Sequence, residues 1–306
     1  MNKEELKQNI LNLKRKKNAV ILSHYYQIDD IQEIADIRGD SLALAIEATK
    51  LDADIIVFCG VKFMAETAKV LCPNKKVLIP EIESVCPLAD MATKDEVLRK
   101  KEELENPVVV SYVNTNVDVK TVSDICCTSA NAVNVVRSLK EKRILFVPDR
   151  NLGEYVKEQV PDKEIILWDG YCPVHEEYSK EELKKLKKEH PKAKIAVHPE
   201  SPKAIRNMAD FIGSTSGIIK YVNKTEANEF IIGTEEGILY ELRLNNPNKQ
   251  FYIIGSSSVC TNMKKITLES LYRALKEEIY EIQLDNRTIE LAKKPIERMI
   301  SIKRTQ

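Results

Sequence analysis

The apolar positions fall into short continuous runs and do not alternate with polar ones. AVILSH at 19–24, DIIVFC at 54–59, VVVSYV at 108–113, RILFV at 143–147 and NEFIIG at 228–233 are such runs. Strands of a parallel sheet covered on both faces read this way, because both rows of side chains are buried. Between them lie segments of helical pattern, among them 3–16, 94–105 and 180–190, and helices expected to open at Ser41, Ser129 and Thr215. Parallel strands alternating with helices predict an α/β chain of three-layer αβα sandwiches. Right-handed crossovers place all strand C-terminal ends of such a sheet on one edge.

The pattern occurs three times. Residues 19–41, 107–129 and 193–215 align, and Asp36, Asp124 and Asp210 share one register at spacings of 88 and 86. His24, Tyr112 and His198 each lie 12 residues before that Asp, and Ser41, Ser129 and Thr215 each lie 5 after it. Each repeat then closes on a cysteine, Cys86 in SVCPLAD, Cys172 in GYCPVHE and Cys260 in SVCTNMK. All βα units look somewhat alike, but chance does not keep four polar positions in register three times. The reading is three homologous domains, 1–90, 91–176 and 177–266, with parallel sheets around a pseudo-threefold axis. The segment 267–306 starts a fourth copy with a helix and YEIQL, ends in a basic helix, and is expected to pack back on the first domain. No low-complexity linker intervenes, so the domains are expected to pack tightly.

Ligands of open parallel sheets bind beyond the strand C-termini. The His or Tyr follows the first strand of each repeat and the Cys follows the last. The Ser or Thr at a helix start faces free N–H groups suited to an anion. If the three edges face one axis, all nine residues converge. Cysteines so far apart match no local zinc or ferredoxin spacing. Brought together, three thiolates suit either a 4Fe–4S cluster with one open iron or a zinc ion with one open position. Cys59, Cys72, Cys126 and Cys127 lack counterparts in register and read as buried packing residues. Glu200, two residues after His198, sits where Asn114 and Tyr26 sit in the other repeats. A carboxyl among thiolates is expected to have a raised pKa suited to proton transfer. Asp36, Asp124 and Asp210 read as fold supports. His175 reads equally as a neighbour of the Cys172 site or as a surface residue, His190 as a solvated helix end, and Trp168 as core.

Charge and composition narrow the function. Lys+Arg and Asp+Glu both number 47, so nothing favours nucleic acid or an anionic membrane surface. No run approaches the ~20 apolar residues of a membrane span. The charged start MNKEELKQNILNLKRKK lacks a signal-peptide core, which predicts a cytoplasmic protein. Seven cysteines without an export signal favour metal binding or free thiols over disulfides.

Longer motifs carry a family resemblance from end to end. SHYYQ, GDSLALA, GVKFMAE, SVCPLA, YVNT, CTSANAV, PDRNLGEYV, CPVH, HPE, GST, CTNMKK and AKKPIERM are similar to quinolinate synthases. The resemblance implies a transferase of de novo NAD biosynthesis. It would condense iminosuccinate (iminoaspartate) with dihydroxyacetone phosphate to quinolinate, phosphate and water. It implies three α/β domains around a central 4Fe–4S cluster, with Cys86, Cys172 and Cys260 as ligands and the fourth iron open to substrate or water. It puts substrate binding on His24, Ser41, Tyr112, Asn114, Ser129, His198, Glu200 and Thr215, and a further active-site tyrosine on Tyr26. Glu200, Tyr26, Tyr112 and His198 are the expected catalytic set. The partners it implies are the two small substrates and a functional link to the enzyme supplying iminosuccinate, with no nucleic acid and no membrane. Two positions depart from the family pattern. Tyr25 stands where the family often has Asn, and Ser201 stands in HPESP where it often has Cys. The second loses a thiol and puts thiol–disulfide regulation there in doubt. A zinc-dependent lyase or hydrolase and a non-enzymatic binding module are the competing classes.

Overall fold

Each of three sheets has four parallel strands in the same spatial order. The computed structural model describes residues 2–255 and 258–304. The first sheet contains β1 (Ala19–His24), β2 (Ile37–Gly39), β3 (Ile55–Cys59) and β4 (Lys76–Leu78), ordered β2-β1-β3-β4. The second contains β5 (Val108–Tyr112), β6 (Ile125–Cys127), β7 (Arg143–Val147) and β8 (Glu164–Leu167), ordered β6-β5-β7-β8. The third contains β9 (Lys194–Val197), β10 (Phe211–Ile212), β11 (Glu229–Gly233) and β12 (Gln250–Ile253), ordered β10-β9-β11-β12. The α/β class and the αβα layering expected from the sequence are therefore present.

A helix precedes each sheet: Lys3–Lys16, Lys94–Glu103 and Lys180–Glu189. Their starts are fixed locally by Asn2, Thr93 and Ser179, whose side chains accept from the backbone three residues on. The Asp register also has a clear task. Asp36, Asp124 and Asp210 each accept from the backbone N–H of Ile21, Val109 and Ile195 at 2.8 Å. Each Asp backbone N–H returns a bond to the same residue's carbonyl, so the carboxylate clamps the connection to its central strand.

Three sequence expectations need correction. First, β2, β6 and β10 each follow a short helix (Asp29–Ile34, Val117–Lys120 and Lys203–Arg206) and precede a longer one, in stretches where the apolar pattern predicts no strand. They are edge strands of two or three residues, too short to leave an apolar run. Second, Ser129 does not open a helix. It lies in a turn where the Asn131 side chain accepts from Thr128 N–H at 2.8 Å, and the helix begins at Ala132. Third, the C-terminal segment does more than complete the first repeat. Helix Leu268–Glu277 packs on helix Lys3–Lys16, and Ile79 and Ile282 exchange backbone bonds with Tyr280 and Val77 at the edge of β4. Here the chain runs antiparallel to β4, so YEIQL is not a fourth parallel repeat. Helix Asn286–Ser301 then crosses to the second sheet and packs against β6 as well as helix Lys62–Leu71. Residues 305–306 of that expected segment lie outside the described residues.

The cores are unequal. One contiguous apolar cluster joins the first and second sheets, running from Leu22, Ile56 and Phe58 to Val110, Phe146 and Ile165. The third sheet has its own clusters on its two faces. Among the described residues, no helix is long and apolar enough to cross a membrane.

Candidate active site

The C-terminal strand ends of the three sheets meet around a central cavity. It is lined by His24, Tyr26, Ser41, Cys86, Tyr112, Asn114, Ser129, Cys172, His198, Glu200, Thr215 and Cys260. All the site residues expected from the sequence are thus brought together. Cys59, Cys72, Cys126 and Cys127 are buried and do not line it.

The three cysteines share a local build. Cys86 and Cys172 immediately precede the helical turns Pro87–Met91 and Pro173–Glu176, and Cys260 stands just before the turn Met263–Lys265. Burial pushes all three thiols up, while backbone N–H groups of the following turn pull the other way. Those donors are Ala89 and Leu88 at Cys86, His175 at Cys172, and Met263 and Asn262 at Cys260. Such a ring of N–H groups favours a thiolate once a cation shares its charge.

Two buried carboxylates hold these turns from behind. Asp149 accepts from Cys172 N–H at 3.1 Å and from Leu152 N–H at 2.7 Å. Glu235 accepts from Cys260 N–H at 3.1 Å and from Gly237 N–H at 2.7 Å, and pairs with Lys264 at 2.9 Å. Both stand two residues beyond the third strand of their repeat. The equivalent residue in the first repeat is Val61, which lacks a carboxylate. Sequence reading missed this pair, although its register position was available.

A chain of polar contacts crosses the cavity. Thr215 Oγ1 donates to Tyr26 Oη at 2.9 Å, and Tyr26 Oη lies 2.5 Å from Thr234 Oγ1. Thr234 Oγ1 meets His175 Nε2 at 3.0 Å, and His175 Nδ1 lies 3.1 Å from Cys172 Sγ and 3.3 Å from Glu200 Oε2. Glu200 Oε2 lies 3.1 Å from His198 Nδ1, and His198 Nε2 meets Ser129 Oγ at 3.0 Å. His175 is fully enclosed by this chain, which rules out the surface alternative. Thr234 had no polar partner in register and was not legible. Of the remaining readings, Trp168 is half-buried, with its indole N–H on Met91 O at 2.7 Å, and His190 caps its helix and stacks on Tyr252.

Gly237 permits the close approach of the Tyr26 loop. A Cβ there would come within 2.7 Å of Tyr26 Cα and 2.8 Å of Tyr25 O. Backbone meets backbone at this point, so a side chain would displace Tyr26 itself.

Electrostatics distinguishes the titratable groups. Burial lowers His24 to about 4 and His175 to about 3, so both are neutral imidazoles near pH 7. Burial pushes the Tyr26 and Tyr112 hydroxyls up and keeps them protonated. Burial also acts to raise Glu200, but its interactions with the adjacent His198, a hydrogen bond among them, outweigh burial and hold the carboxyl below its ordinary value. The expectation of a raised Glu200 is thereby corrected: imidazoles, and not thiolates, are its nearest neighbours. Glu200 Oε1 and Asn114 Oδ1 are buried without a hydrogen-bond partner. Each needs a donor or a cation from something bound in the cavity. Among the described residues, the donor atoms of Cys172, His175 and Glu200 all lie within 4.8 Å of one another and form a candidate metal-binding group.

Known proteins bear on this arrangement. A family described as quinolinate synthetase A protein matches residues 8–301. The quinolinate synthase of Alkaliphilus metalliredigens is 51% identical over 303 residues, covering 99% of this chain and 100% of the relative. That of a Sulfurihydrogenibium species is 53% identical over 307 residues, with 99% and 100% covered. That of Aquifex aeolicus is 49% identical over 304 residues, with 98% and 94% covered. The match runs through all three sheets and all three cysteine turns, and on it this chain belongs to the quinolinate synthase family, enzymes of NAD biosynthesis.

Proposed function

We propose that Cys86, Cys172 and Cys260 hold a 4Fe–4S cluster with one iron open to substrate or water. Beside it the enzyme joins iminosuccinate to dihydroxyacetone phosphate, yielding quinolinate, phosphate and water. The observation that carries the reading is one cysteine from the closing turn of each repeat on a single cavity. The residues fit such a cluster: three thiols with N–H donors behind them, and orphaned acceptors at Glu200 and Asn114. A single zinc on the same three thiolates fits less well. Three thiolates on one zinc at ~2.3 Å lie roughly 4 Å apart. The group of donors within 4.8 Å contains Cys172 and neither of the other two cysteines.

When bound, the cluster supplies a Lewis-acidic iron without any required change of oxidation state. The chain's own residues do the rest. Glu200 begins as a carboxylate and takes a proton, with His198 and His175 on either side to stabilise its charge. Tyr26, linked to Thr215 and Thr234, returns protons as a neutral hydroxyl, and Tyr112 faces the same carboxyl. His24, His198 and Asn114 orient carboxylates. Ser41 and Thr215 are the first residues of their helices, where free N–H groups favour carboxylate or phosphate, and Ser129 adds a hydroxyl from its turn. The same proposal includes domains at 1–90, 91–176 and 177–266, a cytosolic location suited to free thiols, and a functional link to the enzyme that supplies iminosuccinate.

The test is anaerobic turnover of reconstituted protein with dihydroxyacetone phosphate and freshly generated iminosuccinate. Quinolinate and phosphate in equal amounts are expected. Iron-loaded protein that forms neither would overturn the reading.

A further inference from the structure

A second cavity of about 440 Å³ lies beside the central one. We propose that it is the vestibule through which the doubly charged phosphate- and carboxylate-bearing substrates reach the central site. The inference rests on the functional reading above.

The two cavities share a thin partition. Ser129 lines both. Ser214 and Gly217 line the vestibule, while Thr215 between them lines the central cavity. Arg304 lines the vestibule and donates to Asp40 at 2.7 and 2.9 Å, and Asp40 lines the central cavity. The barrier is therefore a few hydroxyl-bearing residues and one ion pair. Arg304 sits beyond the last helix, on a chain end tied down by Asn131 and Asn134 through the carbonyls of Ile302 and Lys303.

The charge of the lining selects anions. Lys220, Lys224 and Arg304 line the vestibule, and no Asp or Glu does. The chain as a whole has equal numbers of both signs, so this segregation is local. Lys220 and Lys224 are exposed at the mouth and have no ion-pair or hydrogen-bond partner among the described residues. A concave site of one sign concentrates ions of the other sign and speeds their entry, an effect that salt screens. The volume lies within the roughly 300–1,000 Å³ of small-molecule sites.

The test is steady-state kinetics of the holoenzyme against dihydroxyacetone phosphate at low and high ionic strength. Lys220→Ala with Lys224→Ala should leave kcat within about twofold, lower kcat/KM about tenfold at low salt, and flatten its salt dependence. Lys220→Glu with Lys224→Glu should invert that dependence, so that added salt raises kcat/KM. Lys184→Glu with Lys185→Glu, the same charge change on an exposed helix face outside the vestibule lining, should match the parent. Parent-like kinetics in both vestibule pairs, or an equal response in the control pair, would overturn the inference while parental turnover left the functional reading intact. A parent enzyme without turnover would remove both.

Discussion

Glu200 is enclosed between two imidazoles, and its proton follows from them. Glu200→Gln keeps the shape and removes the titratable group. It should retain iron yet lose roughly 10²–10⁴-fold in kcat, and a loss under about tenfold would take Glu200 out of proton transfer. Asp40 is the second telling residue. Burial acts to raise its carboxyl, but Arg304, aided by Ser216 and Ala43 N–H, brings it below the ordinary value. In Arg304→Met the burial remains and the guanidinium is lost, so the carboxyl should rise instead. The parent's advantage is then full at neutral pH, roughly 1–3 kcal/mol. It should shrink as pH falls through the raised value of the variant and then the depressed value of the parent. Melting curves at pH 7 and pH 4 check this, and a gap that widens on acidification would refute it. Single residues were legible where a repeat marked them, as with His24, Tyr112 and His198. His175, three residues after Cys172, was legible as one of two readings, whereas Thr234 was not, because it is used once and its partners are remote in sequence.

The strand-to-turn unit that ends each repeat is where element structure meets chemistry. Asp149 and Glu235 fix the Cys172 and Cys260 turns through the cysteine N–H groups, whereas the first repeat has Val61 at that place. Groups that orient metal ligands are typically worth 10–100-fold in affinity. Asp149→Asn and Glu235→Gln should therefore release iron to a chelator at least several-fold faster than the parent under anaerobic conditions. Unchanged release from both would make them ordinary buried acids. The repeat itself was legible because buried parallel strands write continuous apolar runs and the clamp needs Asp at one position. The edge strands β2, β6 and β10 were not, since two or three residues carry no period. The turn at Ser129 was hidden because its conformation is set by Asn131 closing on Thr128, which serine at a helix start also resembles. The antiparallel return at β4 depends on contacts roughly 200 residues apart in sequence and left no local mark.

At the scale of the whole molecule the three repeats are not held equally. The first two share one apolar core, and Leu88 and Ala89 after Cys86 belong to it. Polar contacts such as Gln32 to Gly237 O, Arg38 to Glu241 and Arg206 to Glu154, each 2.8 Å, tie the third repeat to the others. Removing the cluster should leave far-ultraviolet circular dichroism unchanged, because each sheet keeps its own buried faces. Melting temperature should fall, and hydrogen exchange should speed up first at 173–179, while 87–93 and 261–266 stay protected through Leu88, Ala89 and Met263 in the shared core. Uniform loss across all three junctions would mean that the shared core does not outlast the cluster. Beneath every such expectation lies the claim that three cysteines, one from each repeat, hold one iron–sulfur cluster. Quantitative iron and sulfide analysis of anaerobically reconstituted protein tests it most directly. About four iron and about four sulfide per chain are expected, with both falling sharply in Cys172→Ala and unchanged in Cys126→Ala. A single zinc per chain, or full iron and sulfide in Cys172→Ala, would contradict it.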